Sequence, residues 1–267
     1  MSSLAAVRAL VRTFRSALLG YSGGVDSALL AVVLRQELGR DRMLAALGRS
    51  PSVSQDQIAT ARQIAAAFDL PLLEVETDEL ADPQYAANPT NRCFFCKRAL
   101  WARLTALAGA RGLAFVCDGT HVDDAGDHRP GRAAGLLVSV RSPLAEVGMR
   151  KADVRAAARE LGLPTWDAPA SPCLASRVAY GIAITPARLA QVEEAEAYLR
   201  GLGVTGDLRV RHHGAHARIE AEAHHLPWLT RQLPAIGQRL AALGFSEVEL
   251  DPRGYRRGGL LADAVRR

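Results

Sequence analysis

A short polar segment between two apolar segments constrains the fold of this chain more than any other feature of its sequence. Residues 18–38 read LLGYSGGVDSALLAVVLRQEL: an apolar stretch leads into SGGVDS at 22–27, and an apolar segment of helical length follows at once. A strand that ends in a glycine turn and continues as a helix is typical of parallel α/β sheets, in which ligands bind at the carboxyl ends of the strands. We therefore expect residues 22–27 to lie at a binding site.

The same alternation of strands and helices runs through the first two thirds of the chain. Residues 3–14 form a predicted amphipathic helix, and the capping pattern of Ser54 and Gln57 opens another helix. The predicted strands are SALLGYS, RMLAAL, PLLEVE and LAFVCDG, and the other predicted helices are 26–38, 54–68, 93–108, 132–136 and 151–161. This alternation predicts an α/β fold with a doubly wound parallel sheet, covered on both faces.

The pattern changes beyond a loop at 164–186 that is rich in Pro, Ala and Ser. The remaining predicted elements are helices at 186–200 and 224–243 and the strands DLRVRHH, HARIEA and SEVELD. The first two of these strands predict an antiparallel hairpin within a smaller α+β domain. A chain of 267 residues is long enough for two domains, which we predict at 1–170 and 171–267.

The charge of the chain and the lengths of its apolar segments limit the kinds of partner that the protein can have. The formal net charge is +5, but the arginines are spread along Ala/Leu/Arg helices and form no basic block. Such a distribution favours small anionic ligands at least as much as nucleic acid. No segment has the ~20 consecutive apolar residues that span a bilayer, and the amino terminus lacks the pattern of a signal peptide. We therefore expect a cytoplasmic protein without a membrane partner.

The SGGVDS segment has the composition of a phosphate-binding loop. Gly23 and Gly24 allow backbone N–H groups to approach an anion closely, and the following helix directs its positive end to the same place. Ser22 and Ser27 add hydroxyl donors, while Asp26 would repel a bare phosphate unless its carboxylate holds Mg2+. The loop is neither G-x-x-x-x-G-K-[ST] nor G-x-G-x-x-G. The alternative is a glycine turn, capped by Asp and Ser, that binds no ligand.

Two carboxylates follow the predicted strand LAFVCDG. Asp123 and Asp124 are therefore expected at the same edge of the sheet as the SGGVDS loop. One of them can share the Mg2+ with Asp26. The alternative is a pair of solvated loop carboxylates.

Two arginines share one face of the predicted strand DLRVRHH. Arg209 and Arg211 alternate with Val210, so that both guanidinium groups lie on one face while Val210 packs behind them. Two guanidinium forks on one face suit a phosphate group. The alternative is a solvated strand face. The histidines of the segment HHGAH resemble a metal cluster, but neighbouring residues of a strand face opposite ways, so we predict no metal site there.

Three of the four cysteines lie in segments that favour a metal-binding or catalytic role over a place in the hydrophobic core. Cys93 and Cys96 open a predicted helix three residues apart, so both sulfurs can face one centre, as zinc or iron–sulfur ligation requires. Cys173 lies in a Pro-flanked loop, where the nearby guanidinium of Arg177 would favour the thiolate. If Cys173 folds over the pair, three thiolates converge, which leaves an iron–sulfur cluster, zinc or three metal-free thiols as alternatives. Cys117, among apolar neighbours, is a predicted core residue.

The SGGVDS segment resembles the S-G-G-x-D-S motif of the PP-loop ATP pyrophosphatases. That resemblance implies cleavage of ATP between its α and β phosphates, with an adenylate and pyrophosphate as products. The segments NPTNRCFFCKRAL, CDGTHVDDAGDHRPGRAAG and PASPCLASRVAYG further resemble the LarE family, the ATP-dependent sulfur transferases that build the nickel-pincer cofactor of lactate racemase. The resemblance spans most of the chain, and PCLASR is its most specific part. A tRNA thiolase is the alternative, and a nucleotide-binding protein without catalysis is a weaker one.

The LarE resemblance implies a reaction and a source of sulfur. A carboxylate of pyridinium-3,5-biscarboxylate mononucleotide is adenylylated, sulfur attacks, AMP leaves, and two rounds give the dithio compound. Single-cysteine members of the family sacrifice the sulfur of the cysteine at the Cys173 position, whereas three-cysteine members hold a 4Fe-4S cluster whose bound sulfide is delivered. Cys93, Cys96 and Cys173 give this chain the second pattern, so ATP, Mg2+ and a 4Fe-4S cluster are the expected cofactors.

Further expectations follow from the same resemblance. Domain 1–170 binds ATP, and domain 171–267 helps to bind the mononucleotide and mediates assembly, since relatives form hexamers. The expected partners are the mononucleotide and sulfide, without nucleic acid. The expected substrate-binding residues are Lys97, Ser176, Arg177, Arg209 and Arg211. Ala168 and Ala179 depart from the family pattern, which has Lys and Pro at these positions. If that Lys contacts the substrate phosphate in relatives, an arginine elsewhere in this chain must make that contact instead.

Overall fold

The computed structural model describes residues 3–125, 130–169, 171–256 and 258–260, which form two compact units. Unit 1 comprises Met1–Glu79 and Asn91–Ser171, and unit 2 comprises Leu80–Thr90 and Pro172–Arg267. The later boundary lies beside the predicted one. The segment Leu80–Thr90, however, belongs to unit 2, whereas the predicted boundaries place it in the first domain. The chain therefore passes from unit 1 into unit 2 twice.

Unit 1 is a parallel sheet with helices on both faces. Its first elements are α1 (Ser3–Arg12), β1 (Ala17–Tyr21), α2 (Val25–Leu38), β2 (Met43–Arg49), α3 (Gln55–Ala67) and β3 (Leu72–Glu76). The next helix, α4 (Pro83–Ala86), belongs to unit 2. Unit 1 then continues with α5 (Arg92–Ala110), β4 (Phe115–Cys117), α6 (Pro130–Leu136), α7 (Pro143–Glu146) and α8 (Lys151–Glu160). The strand order is β3-β2-β1-β4, and every pair is parallel. Ser54 caps α3 by accepting a hydrogen bond from the Gln57 N–H at 3.2 Å. The predicted doubly wound α/β fold is confirmed.

Alternate residues of β1 pack on opposite faces of this sheet. Leu19 and Tyr21 belong to a buried cluster that includes residues of α1, α2 and α8. Leu18, which lies between Ala17 and Leu19 in the strand, packs instead with Trp101 of α5. Because side chains alternate along a strand, an entirely apolar strand requires cover on both faces. The loop after β1 therefore starts from a strand whose side chains are buried on both faces of the sheet.

Unit 2 contains its own three-stranded sheet. Its further elements are α9 (Pro186–Gly201), β5 (Leu208–His213), β6 (His216–Ala221), α10 (Leu226–Ala242) and β7 (Glu247–Leu250). The antiparallel pairing of β5 with β6 confirms the predicted hairpin, and β7 pairs with β6 in parallel. The helix predicted from 224 begins as the 3-10 turn Ala223–His225 and becomes α-helical at Leu226. Residues of α9, the sheet and α10 form one buried cluster, so this smaller α+β unit has its own core.

None of the helices in the described part of the chain combines the length and the apolar character that crossing a membrane requires.

His212 on β5 is held in its neutral form. Its side chain is almost fully buried, with Nε2 at 2.9 Å from Gln191 Oε1, and Nδ1 accepts a hydrogen bond from the Gly214 N–H at 3.2 Å. Since Nδ1 faces a donor, the ring proton lies on Nε2. Burial, and then the charge of Arg188, lower the pKa of His212 from 6.5 to about 4.

We expect the stability of unit 2 to fall as the pH falls from about 6.5 towards 4. In this window the unfolded histidine binds a proton that the folded ring does not bind, so the free energy of unfolding should drop by about 2 kcal/mol between pH 7 and pH 5. Denaturant unfolding at the two pH values measures this difference. His212→Gln should remove most of it, whereas His224→Gln, at an exposed histidine, should leave it in place. An undiminished difference in His212→Gln would contradict this explanation.

Candidate active site

The SGGVDS loop forms a compact turn between β1 and α2. Gly23 has a φ of +75°, and a Cβ at this position would lie 2.8 Å from Ala61 Cα, so the turn requires glycine. Ser27 Oγ donates to the Gly24 carbonyl oxygen at 3.1 Å and accepts from the Ser22 N–H at 3.2 Å. The serine hydroxyls expected to bind phosphate therefore also shape the loop.

The carboxylate of Asp26, in the first turn of α2, is paired with Lys151. The Lys151 Nζ lies 2.7 and 2.8 Å from the two Asp26 oxygens. Lys151 is the first residue of α8, and its backbone N–H donates to the carboxylate of Asp123 at 2.8 Å. Sequence reasoning missed Lys151 because 125 residues separate it from Asp26. The available signal was a lysine in the first turn of a predicted helix, where the helix dipole disfavours a cation.

A buried histidine lies between Asp26 and Asp124. The Nε2 atom of His121 is 3.4 Å from Asp124 Oδ1 and 3.7 Å from Asp26 Oδ1. Asp124 is buried and accepts a hydrogen bond from the His121 N–H at 3.1 Å, so the solvated alternative is wrong for this residue, whereas Asp123 is exposed. The structure thus brings the three predicted carboxylates together around Lys151 and His121, which sequence reasoning had missed.

Gly119 packs directly against the SGGVDS loop. A Cβ on Gly119 would lie 2.8 Å from the Ser27 nitrogen and 2.9 Å from the Asp26 carbonyl carbon. The preceding Asp118 fixes this turn, because its carboxylate accepts hydrogen bonds from the N–H and hydroxyl of Thr120 at 3.0 and 2.8 Å. Since β1 and β4 are neighbours in the sheet, their carboxyl ends form one edge, which is where parallel α/β sheets bind ligands.

The carboxylates at this edge suit a magnesium ion that is bound to a nucleotide. Within residues 3–125, 130–169, 171–256 and 258–260, no group of three or more His, Cys, Asp or Glu side chains is arranged to hold a metal ion. Mg2+ in nucleotide sites needs no such cage, because one or two carboxylates and the phosphates hold it. Asp26 and Asp124 carry oxygen atoms of the type that Mg2+ prefers, and their binding of Mg2+ stays a prediction. Lys151 meanwhile supplies the counter-charge of Asp26.

The three cysteines expected to act together lie in different units. Cys93 and Cys96 occupy the amino-terminal part of α5 in unit 1, where the first is exposed and the second partly exposed. Cys173, in unit 2, is partly exposed and precedes the 3-10 turn Leu174–Arg177. Their convergence stays a prediction. Cys117 is fully buried at the end of β4, and burial raises its pKa to about 12, which confirms its predicted place in the core.

Arg177 holds the backbone of the Cys173 loop. Its buried guanidinium donates to both carboxylate oxygens of Glu196 at 3.0 Å. It also donates to the carbonyl oxygen of Pro172, to that of Cys173 at 3.0 Å and to Ser176 Oγ at 3.2 Å. These contacts support a positioning role for Arg177. The substrate contacts expected of Arg177 and Ser176 stay predictions.

Arg209 and Arg211 lie on one face of β5 but are not solvated. Each is only 5% exposed, so the alternative of a solvated strand face is wrong, and Val210 packs in the core of unit 2 as predicted. Arg211 is already paired within the unit, because its Nε donates to Glu220 Oε2 at 2.9 Å and its Nη1 donates to the Ser176 carbonyl oxygen at 3.1 Å.

Arg209 has a different environment. Its guanidinium lies 5.1 Å from the ring centroid of Tyr255, and Nη1 donates to the Leu208 carbonyl oxygen at 2.6 Å. Burial, and then the positive charge of Arg177, lower the pKa of Arg209. An anion beside Arg209 would relieve the repulsion between the two guanidinium groups. Arg209 is also paired, since its Nη2 lies 3.6 Å from Asp207 Oδ1, and its contact with a substrate phosphate stays a prediction.

Two basic residues of unit 1 contact neighbouring aromatic segments. The Lys97 Nζ lies 5.2 Å from the ring centroid of Trp101, and the substrate contact expected of Lys97 stays a prediction. Arg155 donates to the carbonyl oxygens of Trp166 at 3.1 Å and of Ala168 at 3.0 Å. An arginine thus fixes the segment in which this chain has Ala168 instead of the lysine of the family pattern.

A parallel sheet with an S-G-G-x-D-S loop at a strand-to-helix turn defines a PP-loop nucleotide-binding domain, and the sequence model of the NAD synthase family matches residues 5–105. The chain is 34% identical to the pyridinium-3,5-bisthiocarboxylic acid mononucleotide synthase of Lactiplantibacillus plantarum, over 94% of this chain and 90% of the relative. It is 42% identical to an uncharacterised Synechocystis protein over 91% of each chain, and 29% identical to an uncharacterised Methanocaldococcus jannaschii protein over 90% of each. The chain belongs to the LarE family of ATP-dependent sulfurtransferases.

We expect Gly119→Ala to damage the nucleotide site. The new Cβ would meet backbone atoms of Ser27 and Asp26, which cannot move aside as a flexible side chain can. Overpacking of this kind costs about 1–3 kcal/mol, which should appear as weaker binding of a non-hydrolysable ATP analogue in calorimetric titration and as a lower melting temperature. Gly109→Ala is the matched control, because a Cβ on Gly109 meets nothing within 4 Å. Equal affinity for the analogue in both variants would contradict this packing argument.

Proposed function

We propose that this protein adenylylates a carboxylate of pyridinium-3,5-biscarboxylate mononucleotide and replaces it with a thiocarboxylate, in the synthesis of the nickel-pincer cofactor of lactate racemase. The observation that carries this proposal is the identity with the Lactiplantibacillus plantarum synthase over nearly the whole chain. That relative is named for the bisthiocarboxylic acid mononucleotide. The geometry of the SGGVDS loop supports the part of the reaction that uses ATP.

Unit 1 carries out the adenylylation step in this proposal. The turn at Gly23 and Gly24 and the positive end of α2 bind the phosphates, and Asp26 with Asp124 holds Mg2+. When bound, Mg2+ neutralises charge on the phosphates. A carboxylate oxygen of the substrate forms a bond to the α-phosphorus of ATP. The bond from that phosphorus to the bridging oxygen breaks, and pyrophosphate leaves with the electron pair.

Lys151 exchanges partners when the nucleotide binds. The side chains of Lys151 and Asp26 are 36% and 30% exposed, and an ion pair at such exposure contributes only about 0–1 kcal/mol. The phosphates can therefore draw the Lys151 ammonium away from Asp26 at little cost. Asp26 is then available to Mg2+, while His121 and Asp124 retain their buried contact beside it.

Cys93, Cys96 and Cys173 carry the sulfur step in this proposal, as ligands of a 4Fe-4S cluster. The thiol of Cys93 is exposed and those of Cys96 and Cys173 are partly exposed, and soft thiolates are the usual ligands of iron–sulfur clusters, but the described residues do not bring the three thiols together as one ligand group. If bound by these three residues, the cluster would supply the sulfur that is transferred. In the transfer, the sulfur of a hydrosulfide ion forms a bond to the acyl carbon and loses its proton to solvent, while the C–O bond to the phosphate breaks and AMP leaves with its electron pair. Arg177 donates to the carbonyl oxygens of Pro172 and Cys173, which lie on either side of the Cys173 Cα.

Two variants separate the two halves of the reaction. We expect Asp26→Asn to lower substrate-dependent pyrophosphate release about a hundredfold, because a charge that acts on the phosphates is lost. Cys173→Ala should keep pyrophosphate release and lose the thiocarboxylate. Asp56→Asn, at an exposed aspartate in the first turn of α3, is the matched control. The measurement is chromatography of AMP, pyrophosphate and thiocarboxylate, with bulk tRNA tested in parallel as an acceptor.

Three outcomes of this experiment would contradict the proposal. ADP and free phosphate as nucleotide products would exclude PP-loop chemistry. Loss of pyrophosphate release in Cys173→Ala would show that the two halves are not separate. Thiolated tRNA without any thiocarboxylate would identify the tRNA thiolase alternative.

The strand arginines are expected to respond differently to substitution. Arg209→Ala should weaken the affinity for the mononucleotide by about 1.5–3 kcal/mol, the usual contribution of a charge-assisted hydrogen bond. Arg211→Ala should chiefly lower the stability of unit 2, by about 1–3 kcal/mol, because it removes a partner of the buried Glu220. Calorimetric titration and thermal unfolding measure the two effects, with exposed Arg231→Ala as the control. An unchanged affinity in Arg209→Ala would exclude Arg209 from the phosphate site.

A further inference from the structure

His121 is a buried residue whose two ring nitrogens have different surroundings. The residue is 5% exposed, and its Nε2 atom lies 3.4 Å from Asp124 Oδ1 and 3.7 Å from Asp26 Oδ1. Within the described part of the chain, no group forms a hydrogen bond with its Nδ1 atom. A neutral imidazole carries one ring proton and carboxylate oxygens only accept, so this proton belongs on Nε2. The donor side of the ring is therefore directed at the two carboxylates.

The backbone of His121 is held in place independently of its ring. Its N–H donates to Asp124 Oδ2 at 3.1 Å, and its carbonyl oxygen accepts from the Asp124 N–H at 3.1 Å. The N–H of the next residue, Val122, donates to the Met149 carbonyl oxygen at 2.9 Å, two residues before α8 begins at Lys151. The loop that carries His121 is thus bonded to the segment that leads into α8. Its ring consequently has a fixed point of attachment beside Asp26 and Asp124.

His121 and Lys151 approach the same oxygen atom of Asp26. The Lys151 Nζ lies 2.7 Å from Asp26 Oδ1, and the His121 Nε2 lies 3.7 Å from it. The lysine side chain is 36% exposed, whereas the side chain of His121 is only 6% exposed. Under the proposed function, the phosphates draw Lys151 away from Asp26. The buried ring of His121 then remains beside this oxygen.

We propose that His121 is a positioning residue that keeps the carboxylates of Asp26 and Asp124 turned towards one point, so that both reach the Mg2+ of the bound nucleotide. The proposal rests on the proposed function, in which these two aspartates bind Mg2+. His121 acts through the carboxylates, and its role requires no contact with the substrate. Groups that orient metal ligands in this way commonly contribute about tenfold to a hundredfold to metal affinity. All of these residues belong to unit 1.

Five variants separate the N–H donor of His121 from the volume of its ring. His121→Phe and His121→Leu both lack the donor, but they differ in size. His121→Gln keeps an N–H donor on a flexible side chain. His224→Phe and His224→Gln are the matched controls, because the side chain of His224 is exposed.

Calorimetric titration with α,β-methylene ATP, in Mg2+ and in EDTA, gives a readout independent of activity. In the unmodified protein we expect Mg2+ to raise the affinity for this analogue. His121→Phe and His121→Leu should lose about tenfold of that increase and keep the affinity measured in EDTA. His121→Gln and both His224 variants should retain the increase. A full increase in His121→Phe and His121→Leu would overturn the role of His121 and leave the proposed function intact.

The unmodified protein tests the assumption on which this inference rests. If its affinity for the analogue were the same in Mg2+ and in EDTA, the binding of Mg2+ in the proposed function would be wrong, and the positioning role would fall with it. This outcome differs from a failure of His121 alone, in which the unmodified protein responds to Mg2+ and the two apolar variants respond equally.

Thermal unfolding separates positioning from a merely structural role. A packing defect lowers the melting temperature and weakens analogue binding by the same factor in Mg2+ and in EDTA. Because Phe and Leu differ in size, their packing defects should differ, whereas the loss of the N–H donor is common to both. We expect the two variants to lose the Mg2+ effect equally. A loss that follows the melting temperature, or one that His121→Gln shares, would overturn the positioning role.

Discussion

The ion pair between Asp26 and Lys151 is the interaction on which the nucleotide site depends. It joins the first turn of α2 to the first turn of α8, and the Lys151 N–H donates a hydrogen bond to the carboxylate of Asp123 in the neighbouring loop. A helix amino terminus favours an acidic residue and disfavours a cation, so Lys151 stands against the field of its own helix. Its two carboxylate partners compensate for this position. Because so exposed a pair adds little stability, we propose that its role is to place a mobile positive charge beside the phosphates of ATP.

Unit 2 depends on a different kind of electrostatics. Its buried charges form pairs and networks: Arg177 with Glu196, Arg211 and Arg218 with Glu220, and Asp251 with the half-exposed Arg253. Buried ion pairs lose about as much in desolvation as they gain in attraction, so their number is weak evidence for stability. They do fix geometry, since each charge is satisfied in one arrangement only. In unit 2 that arrangement sets the backbone at Cys173 and separates the environments of Arg209 and Arg211.

The order of elements could be predicted from the sequence because its signals are local. The alternation of apolar segments, the glycines of the SGGVDS loop and the cap at Ser54 each act within a few residues. The partner of Asp26 could not be predicted, since tertiary packing alone brings Lys151 and His121 to it. The inclusion of Leu80–Thr90 in unit 2 depends on Asn88, whose hydrogen bonds reach 90 residues or more along the chain. Arg177 was expected to act on the thiol of Cys173, but the conformation of the loop directs its donors to carbonyl oxygens instead.

The proposal that three cysteines carry a replaceable sulfur is tested most directly by counting products per chain. The protein would be reconstituted anaerobically with iron and sulfide and given ATP, the biscarboxylate mononucleotide and excess sulfide. The thiocarboxylate would then be quantified and the mass of the intact protein measured. We predict several thiocarboxylates per chain and an unchanged Cys173. At most one thiocarboxylate per chain, together with the loss of one hydrogen sulfide from Cys173, would show that the cysteine is sacrificed and would contradict the cluster.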